Sequence, residues 1–230
     1  MGNDLVVNNP LRALGLDEQA KGSEAMGLVM ARAGLGKTAI LVQFALDCML
    51  LGNKVLHVSI GEGVDKTRSW YDDILALLTD GEKIETIPEI MQNRMIMTFK
   101  ESTFSKAMFE ERLEDLVKQG VYQPECLIID GYDFENNTKE SLQEFKNVMK
   151  EQGLKMIWFS AVCHREDDRV SAAGVPAPCH DVEDLFETVL IINPKGDAMN
   201  LDIVKCNTGS IDPGTSLSLD PSTMLLKKAE

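Results

Sequence analysis

The sequence predicts an α/β fold in which a mostly parallel central sheet carries helices on both faces and a β-hairpin follows towards the C-terminus. Short apolar runs, typical of buried strands, alternate with longer segments that have helical apolar spacing between residues 25 and 160. Glycines stand at the ends of helical segments, as at Gly52 and Gly153. Two β-prone runs then flank residues 193–197, a pattern that indicates a hairpin.

The length and composition of the chain suit one globular domain with a sizeable core. It has 230 residues, of which 44% are hydrophobic. We expect an N-terminal arm over residues 1–24, an α/β domain over residues 25–206 and a C-terminal tail over residues 207–230. No apolar run reaches the roughly 18 residues of a membrane span, and the N-terminus lacks a secretory pattern. We therefore expect a cytoplasmic protein without a membrane partner.

Charge and cysteine content narrow the classes of function. The formal net charge of −14 disfavours a broad nucleic-acid-binding surface, which is usually basic, and suits solubility or a basic protein partner instead. The five cysteines are odd in number and scattered, so we expect reduced thiols. Cys-His pairs occur at 163–164 and 179–180, but their spacing matches none of the common zinc-ligand patterns.

The most informative stretch is the run Gly34-Leu35-Gly36-Lys37-Thr38. Apolar stretches over residues 25–30 and 39–51 flank it, so we expect a buried strand, a glycine-rich turn and a helix in that order. Glycines permit a tight turn and let the backbone approach a ligand closely, and a helix N-terminus attracts anions. This arrangement predicts a phosphate-binding loop.

Each loop residue has an expected task toward a nucleoside triphosphate. We expect Lys37 to reach the β- and γ-phosphates and Thr38 to ligate Mg²⁺. The usual pattern has a further glycine five residues before Gly36, where this chain has Ala31, and alanine adopts a positive φ less readily. The residues expected to surround the phosphates are Ala33, Gly34, Leu35, Gly36, Lys37, Thr38 and Ala39.

Strands and helices are expected to alternate after this loop. Residues 80–93 and 165–178 are expected to form loops, and the length of the second suggests that it is mobile. We expect strands over residues 54–60, 95–99, 125–130 and 156–160, helices over residues 65–79, 104–118 and 139–151, and hairpin strands over residues 188–192 and 199–204.

Three further segments are expected to meet the phosphate loop, because the carboxyl ends of parallel strands lie along one edge of a sheet. They are Gly61-Glu62, Asp130 and residues 160–164, each at the end of a predicted strand. In proteins with a phosphate loop, an acid at the end of an apolar strand holds Mg²⁺ or a magnesium-bound water. Asp130 is therefore the expected metal acid.

In this order of parts the chain resembles the RecA/KaiC-like branch of P-loop ATPases over roughly residues 25–206. The phosphate loop with its helix and the segments at residues 52–59, 127–131, 158–164 and 204–209 carry the resemblance. It implies a RecA-like fold with ATP and Mg²⁺ as ligands. It also implies that Glu62 activates the attacking water, that Ser160 and His164 sense the γ-phosphate, and that Lys205 reaches the nucleotide of a neighbouring subunit in a homo-oligomer.

Three positions depart from that pattern: Ala31 in the loop, Gly61 in place of a first glutamate, and Asn207 in place of a second basic residue. The leading expectation is a Mg²⁺-dependent protein that binds and hydrolyses ATP and couples its nucleotide state to conformation or to a protein partner. A nucleotide-responsive regulatory binding module with negligible hydrolysis is the alternative that Ala31 and Gly61 favour. Further alternatives are a recombinase-like DNA-binding ATPase and a small-molecule kinase that uses Arg165 and Arg169.

Overall fold

Helices and strands alternate along most of the chain, as the sequence predicts. The structure is a computed structural model that describes residues 9–16, 25–81, 85, 87–207 and 211–227. The helices within these ranges are α1 (Pro10–Ala13), α2 (Lys37–Leu50), α3 (Val64–Leu78), α4 (Ile87–Met91), α5 (Lys106–Lys118) and α6 (Lys139–Gln152). The strands are β1 (Ala25–Ala31), β2 (Val55–Ile60), β3 (Arg94–Phe99), β4 (Cys126–Asp130), β5 (Met156–Val162), β6 (Thr188–Lys195), β7 (Ala198–Cys206) and β8 (Ser216–Leu219).

These strands join one sheet in the order β3-β2-β4-β5-β1-β6-β7-β8. The pairs from β3 to β6 are parallel, whereas β7 pairs antiparallel with β6 and with β8. The expected α/β class with a mostly parallel sheet is confirmed, and β6 and β7 form the expected hairpin. Because parallel strands end at the same edge, the segments after β1, β2, β4 and β5 lie together.

The central strands β1, β2, β4 and β5 are buried on both faces of the sheet. Successive side chains along a strand point to opposite sides, so each strand contributes to two apolar clusters. In β1, Val29 belongs to the apolar cluster packed by α1, α2 and α3. Its neighbours Leu28 and Met30 belong to the cluster packed by α5 and α6. Helices therefore cover both faces, as expected.

Two elements lie where the sequence predicted none. The expected loop over residues 80–93 contains α4, whose Ile87, Ile90 and Met91 pack against the core on the α2 side. Pro88 lies in the first turn of this helix, where a missing N–H costs little, so the proline does not exclude a helix. The second element is β8, whose short alternating pattern of serine and leucine gives only a weak strand signal.

Residues 9–16 pack directly onto the domain. Leu11, Leu14 and Leu16 are fully buried, and Arg12 Nε lies 2.8 Å from Asp47 Oδ1 on α2. Helix α1, within the expected N-terminal arm, is thus part of the core. The remainder of that arm, residues 1–8 and 17–24, lies outside the described residues.

Part of the segment over residues 165–178 is buried, although the sequence predicted a mobile loop. Val175 is fully buried in the cluster packed by α5 and α6, and Ala177 is also buried. Val170 and Pro176 form an isolated bridge that closes this segment on itself. Its small apolar residues therefore anchor it to the core.

One polar side chain lies deep in the sheet. His57, in the middle of β2, is fully buried, and its Nδ1 lies 2.9 Å from Tyr71 Oη on α3. Its Nε2 has no hydrogen-bond partner among the described residues. Burial is the main cause that lowers the pKa of His57 to about 4; Arg94 also lowers it, while Asp130 opposes the shift. The imidazole is therefore neutral near pH 7.

Gly27 leaves room for a tryptophan in the middle of the sheet. It pairs with Trp158 across β1 and β5, and a Cβ at Gly27 would lie 2.5 Å from Trp158 Cε3. Trp158 is buried, and its ring centroid lies 4.5 Å from that of Phe44, so the indole has little freedom to move. We expect Gly27→Ala to lower the free energy of unfolding by about 2 kcal/mol through overpacking.

Urea denaturation of the purified variants measures this effect. Gly63→Ala is the matched control, because Gly63 has a φ of −86° and no atom lies within 4 Å of its Cβ position. Trp158→Phe in the Gly27→Ala background should recover part of the loss, since the smaller ring relieves the clash. A cost for Gly27→Ala no larger than that of the control would contradict the prediction.

All five cysteines are free thiols, and Cys48, Cys126 and Cys179 are buried.

Within the described ranges, none of the helices combines the length and hydropathy that spanning a bilayer requires.

Candidate functional site

The loop between β1 and α2 has the backbone form of an anion-binding turn. Gly34 and Gly36 have φ values of 76° and 82°, a left-handed conformation that glycine adopts without strain. Gly36 is the N-cap of α2, and no side chain caps the helix. The first N–H groups of a helix have no partner within it, and the helix dipole adds positive potential there. The loop therefore offers uncapped N–H groups that suit an anion.

Ala31, which replaces the first glycine of the usual pattern, does not strain this loop. It is the last residue of β1, pairs with Val162 of β5 and accepts a hydrogen bond from Cys163 N at 2.9 Å. Among the described non-glycine residues, only Asp80 and Met224 have a positive φ. The position needs an extended backbone, which alanine adopts readily. The departure at Ala31 thus leaves the geometry of the loop intact.

Lys37 begins α2 and is half-buried beside the loop. Its Nζ makes a long contact of 3.5 Å with the Arg32 carbonyl oxygen. Burial lowers the pKa of Lys37, and the negative charge of Asp130 opposes that shift. A Cβ at Gly34 would meet no atom within 4 Å, so the loop is open at that point. A loosely held ammonium beside an open loop suits a phosphate group.

Thr38, Asp130 and Ser160 form a hydrogen-bonded chain across the sheet edge. Thr38 Oγ1 donates to Asp130 Oδ2 at 2.6 Å, and Ser160 Oγ donates to Asp130 Oδ1 at 2.5 Å. Strand β5 continues to Val162, two residues further than the sequence predicts, so Ser160 lies inside the strand. In this arrangement Ser160 orients the Asp130 carboxylate, and its contact with a γ-phosphate stays a prediction.

A cavity of about 360 Å³ opens at the carboxyl edge of the sheet beside this chain. Ligands of open α/β sheets bind at this position. The segments after β1, β2, β4 and β5 all reach it. The sequence-predicted site residues that line the cavity are Lys37, Thr38, Glu62, Asp130, Ser160 and His164.

Two of these side chains lie on the solvent side of the cavity. Glu62 is exposed and lies between Gly61 and Gly63. His164 is also exposed, and its Nε2 lies 3.2 Å from Glu135 Oε1. Their side chains are therefore less constrained than those of Thr38 and Asp130.

Lys205 does not line this cavity. It lies on β7, and its Nζ donates to the Glu183 carbonyl oxygen at 2.8 Å. Its expected action on the nucleotide of a neighbouring subunit stays a prediction, because it concerns a second chain.

Three acidic residues that line the cavity, Glu101, Asp133 and Glu135, belong to no motif in the sequence, and Glu101 is the one that follows β3. It follows β3 in a 3₁₀ turn (Glu101–Thr103) and lines the cavity together with Glu62. Since β3 is parallel to β2, the residue after β3 reaches the same edge. The argument that the carboxyl ends of parallel strands meet at one edge of the sheet, if it had been applied to β3 as well, could have identified Glu101.

The C-terminal segment also touches the phosphate loop. A Cβ at Gly36 would lie 2.7 Å from Met224 Cε, and Gln43 of α2 donates to the Met224 carbonyl oxygen at 3.0 Å. A second cavity, of about 590 Å³, lies between this segment, the loop and Trp70 of α3. Lys37 and Thr38 line both cavities, whereas Gly34, Leu35, Gly36 and Ala39 line only the second.

Thr38 and Asp130 fit Mg²⁺ in their chemistry. Hydroxyl and carboxylate oxygens are hard donors, and Mg²⁺ usually takes one or two protein carboxylates together with phosphate and water oxygens. Across the part of the chain that the structure describes, no group of three or more His, Cys, Asp or Glu side chains could hold a metal ion. A metal at Thr38 and Asp130 would thus depend on phosphate and water for its other ligands.

Comparison with protein-family models and with curated protein sequences finds no match to this chain. Its function must therefore be argued from the geometry and chemistry of the site itself.

Proposed function

We propose that this protein is a Mg²⁺-dependent ATPase of the RecA/KaiC-like class that binds its triphosphate at the loop between β1 and α2. One observation carries the proposal: the uncapped N-terminus of α2 places Lys37 and the pair Thr38–Asp130 in a single open cavity. Phosphate binding, metal binding and hydrolysis need these three features together.

The chain's own groups have distinct tasks in this proposal. The N–H groups of the loop and the ammonium of Lys37 neutralise phosphate charge. Thr38 would supply a hydroxyl oxygen to Mg²⁺, and Asp130, which Ser160 orients, would hold a magnesium-bound water. Bound Mg²⁺ would neutralise part of the phosphate charge. Hydrolysis then consists of positioning and charge stabilisation rather than covalent chemistry by the protein.

The contact between Met224 and Gly36 supports the proposal that the nucleotide state changes the conformation of the protein. Met224 lies against Gly36 of the loop, so a phosphate bound by the loop would lie next to the residues that Met224 contacts. The C-terminal segment would then move with the loop, and a protein partner could bind one of its states.

The proposed homo-oligomer, in which Lys205 reaches a neighbouring nucleotide, is tested by sedimentation with and without ATP.

A nucleotide-responsive binding module with negligible hydrolysis is the second candidate. Gly61 favours it, because the end of β2 lacks the first carboxylate expected there. Calorimetric titration with ATP, GTP and ADP in Mg²⁺, next to phosphate-release assays on the same sample, separates the candidates. Binding with turnover supports the ATPase; binding without turnover at any protein concentration supports the module; absence of triphosphate binding contradicts both.

Asp130→Asn is expected to reduce the Mg²⁺ affinity of the nucleotide-bound protein and its turnover by about 10–100-fold. The amide keeps one oxygen that accepts from Thr38 or Ser160, and its NH2 group can donate to the other hydroxyl. It loses the negative charge that holds the metal water. Turnover measured across a magnesium titration tests this, with Asp115→Asn on the exposed face of α5 as control. An unchanged magnesium dependence in Asp130→Asn would remove Asp130 from the metal site.

A further inference from the structure

Gly61, directly after β2, leaves a space that the side chain of Glu101 fills. A Cβ built at Gly61 would lie 2.7 Å from Glu101 Oε1 and 3.1 Å from Glu101 Cγ. Gly61 also has a φ of 92°, which disfavours other residues. The glycine therefore lets the Glu101 carboxylate lie over the end of β2, in the volume that a side chain at residue 61 would take.

The pairing of β2 with β3 fixes the backbone around Glu101. Gly61 N donates to the Phe99 carbonyl oxygen at 2.8 Å, so the two chains stay together past the last strand pair. The 3₁₀ turn that contains Glu101 follows at once, and Phe104 then packs edge-on against Phe99 with ring centroids 5.2 Å apart. The turn is thus anchored at both ends.

The carboxylate of Glu101 is available for a ligand. It lines the cavity that contains Lys37 and Thr38, and none of the described residues forms a hydrogen bond or an ion pair with it. Asp130, in contrast, already accepts hydrogen bonds from Thr38 and Ser160. Glu62 and Glu101 are both exposed, but Glu62 lies between two glycines, whereas the Glu101 side chain lies against the end of β2.

We propose that Glu101 is the carboxylate that activates the attacking water, a role that the resemblance gave to Glu62; this inference rests on the proposed ATPase function. The carboxylate accepts a proton from water while the water oxygen bonds to the γ-phosphorus. The bond between the γ-phosphorus and the β–γ bridging oxygen breaks, and its electron pair leaves with ADP. The proton then passes from Glu101 to the released phosphate or to solvent.

Glu101→Gln tests the role of the carboxylate directly. We expect kcat to fall by about 100-fold, because loss of a general base typically costs a factor of 10² to 10⁴. The affinity for ATP relative to ADP should rise by about threefold, since a negative charge that faces the γ-phosphate is removed. Glu111→Gln, an exposed carboxylate on α5, is the matched control for both readouts.

Gly61→Ala tests whether the glycine acts through Glu101. We expect it to lower kcat by displacing the carboxylate, and to have no further effect on kcat in the Glu101→Gln background. Gly63→Ala is the control, because its Cβ meets no atom within 4 Å. If Gly61→Ala lowers kcat equally in both backgrounds, the glycine acts on the backbone and the proposed link to Glu101 is wrong.

The outcomes also separate this inference from the proposed function. Turnover in the unmodified protein that survives Glu101→Gln but is lost in Glu62→Gln overturns the inference and leaves the ATPase standing. ATP binding without turnover in the unmodified protein overturns both the ATPase and the inference. Loss of kcat in Glu101→Gln, with an increased ratio of ATP to ADP affinity, supports both.

Discussion

Lys37→Ala is expected to weaken ATP binding by about 100-fold, which corresponds to about 3 kcal/mol. The Lys37 ammonium lies beside an open loop with only a long contact to the Arg32 carbonyl oxygen. A phosphate would therefore be its first strong partner. Because burial lowers the pKa of Lys37, the charged side chain costs the folded protein energy, and its removal should not reduce stability.

Calorimetry with ATP measures the loss of affinity, and urea denaturation verifies the fold of the variant. Lys66→Ala on the exposed face of α3 is the control and should bind ATP like the unmodified protein. Equal ATP affinity in Lys37→Ala and in the control would place the triphosphate somewhere else.

Acidification is expected to remove about 3 kcal/mol of stability through His57 alone. The folded protein holds the pKa of His57 at about 4, against 6.5 for an ordinary histidine. Between these two values the unfolded chain binds a proton that the folded protein excludes, so the free energy of unfolding falls as the pH falls. This contribution is complete above pH 6.5 and is lost as the pH approaches 4.

The double variant His57→Leu/Tyr71→Phe isolates this effect, because it removes the imidazole and the hydroxyl that would otherwise lose its partner. Urea denaturation of the magnesium-free protein at several pH values should show a shallower acid loss in the double variant than in the unmodified protein. His164→Gln, at an exposed histidine, should keep the slope of the unmodified protein. Parallel curves for the double variant and the unmodified protein would contradict the prediction.

The elements that the sequence predicts well are those whose local pattern agrees with their burial. The apolar runs of β1, β2, β4 and β5 are buried on both faces, so their strand signal is continuous. Helix α4 has only one turn and no side-chain pattern long enough to detect, so only its packing against the core reveals it. Strand β8 forms by pairing with β7, and its own four residues carry no pattern that predicts this pairing.

The site also contains residues that the sequence predicts and residues that it does not. Gly34, Gly36, Lys37 and Thr38 stand in one short motif whose spacing reflects local geometry, so the loop could be predicted. Glu101 reaches the cavity only because β3 lies next to β2, and strand order depends on long-range packing. The contact of Met224 with Gly36 joins segments far apart in the chain, and a single sequence holds no signal for it.

The pairing of Asp130 with Thr38 and Ser160 has a consequence for the ligand-free protein. Each oxygen of this carboxylate already accepts a hydroxyl hydrogen, so the acid is satisfied before any cation arrives. Many small metal-binding domains unfold when their ion is chelated, because the binding free energy of the ion stabilises the fold. We expect this chain instead to stay folded each time the metal and nucleotide leave the site and bind again. Chelation with EDTA should therefore leave its melting temperature unchanged.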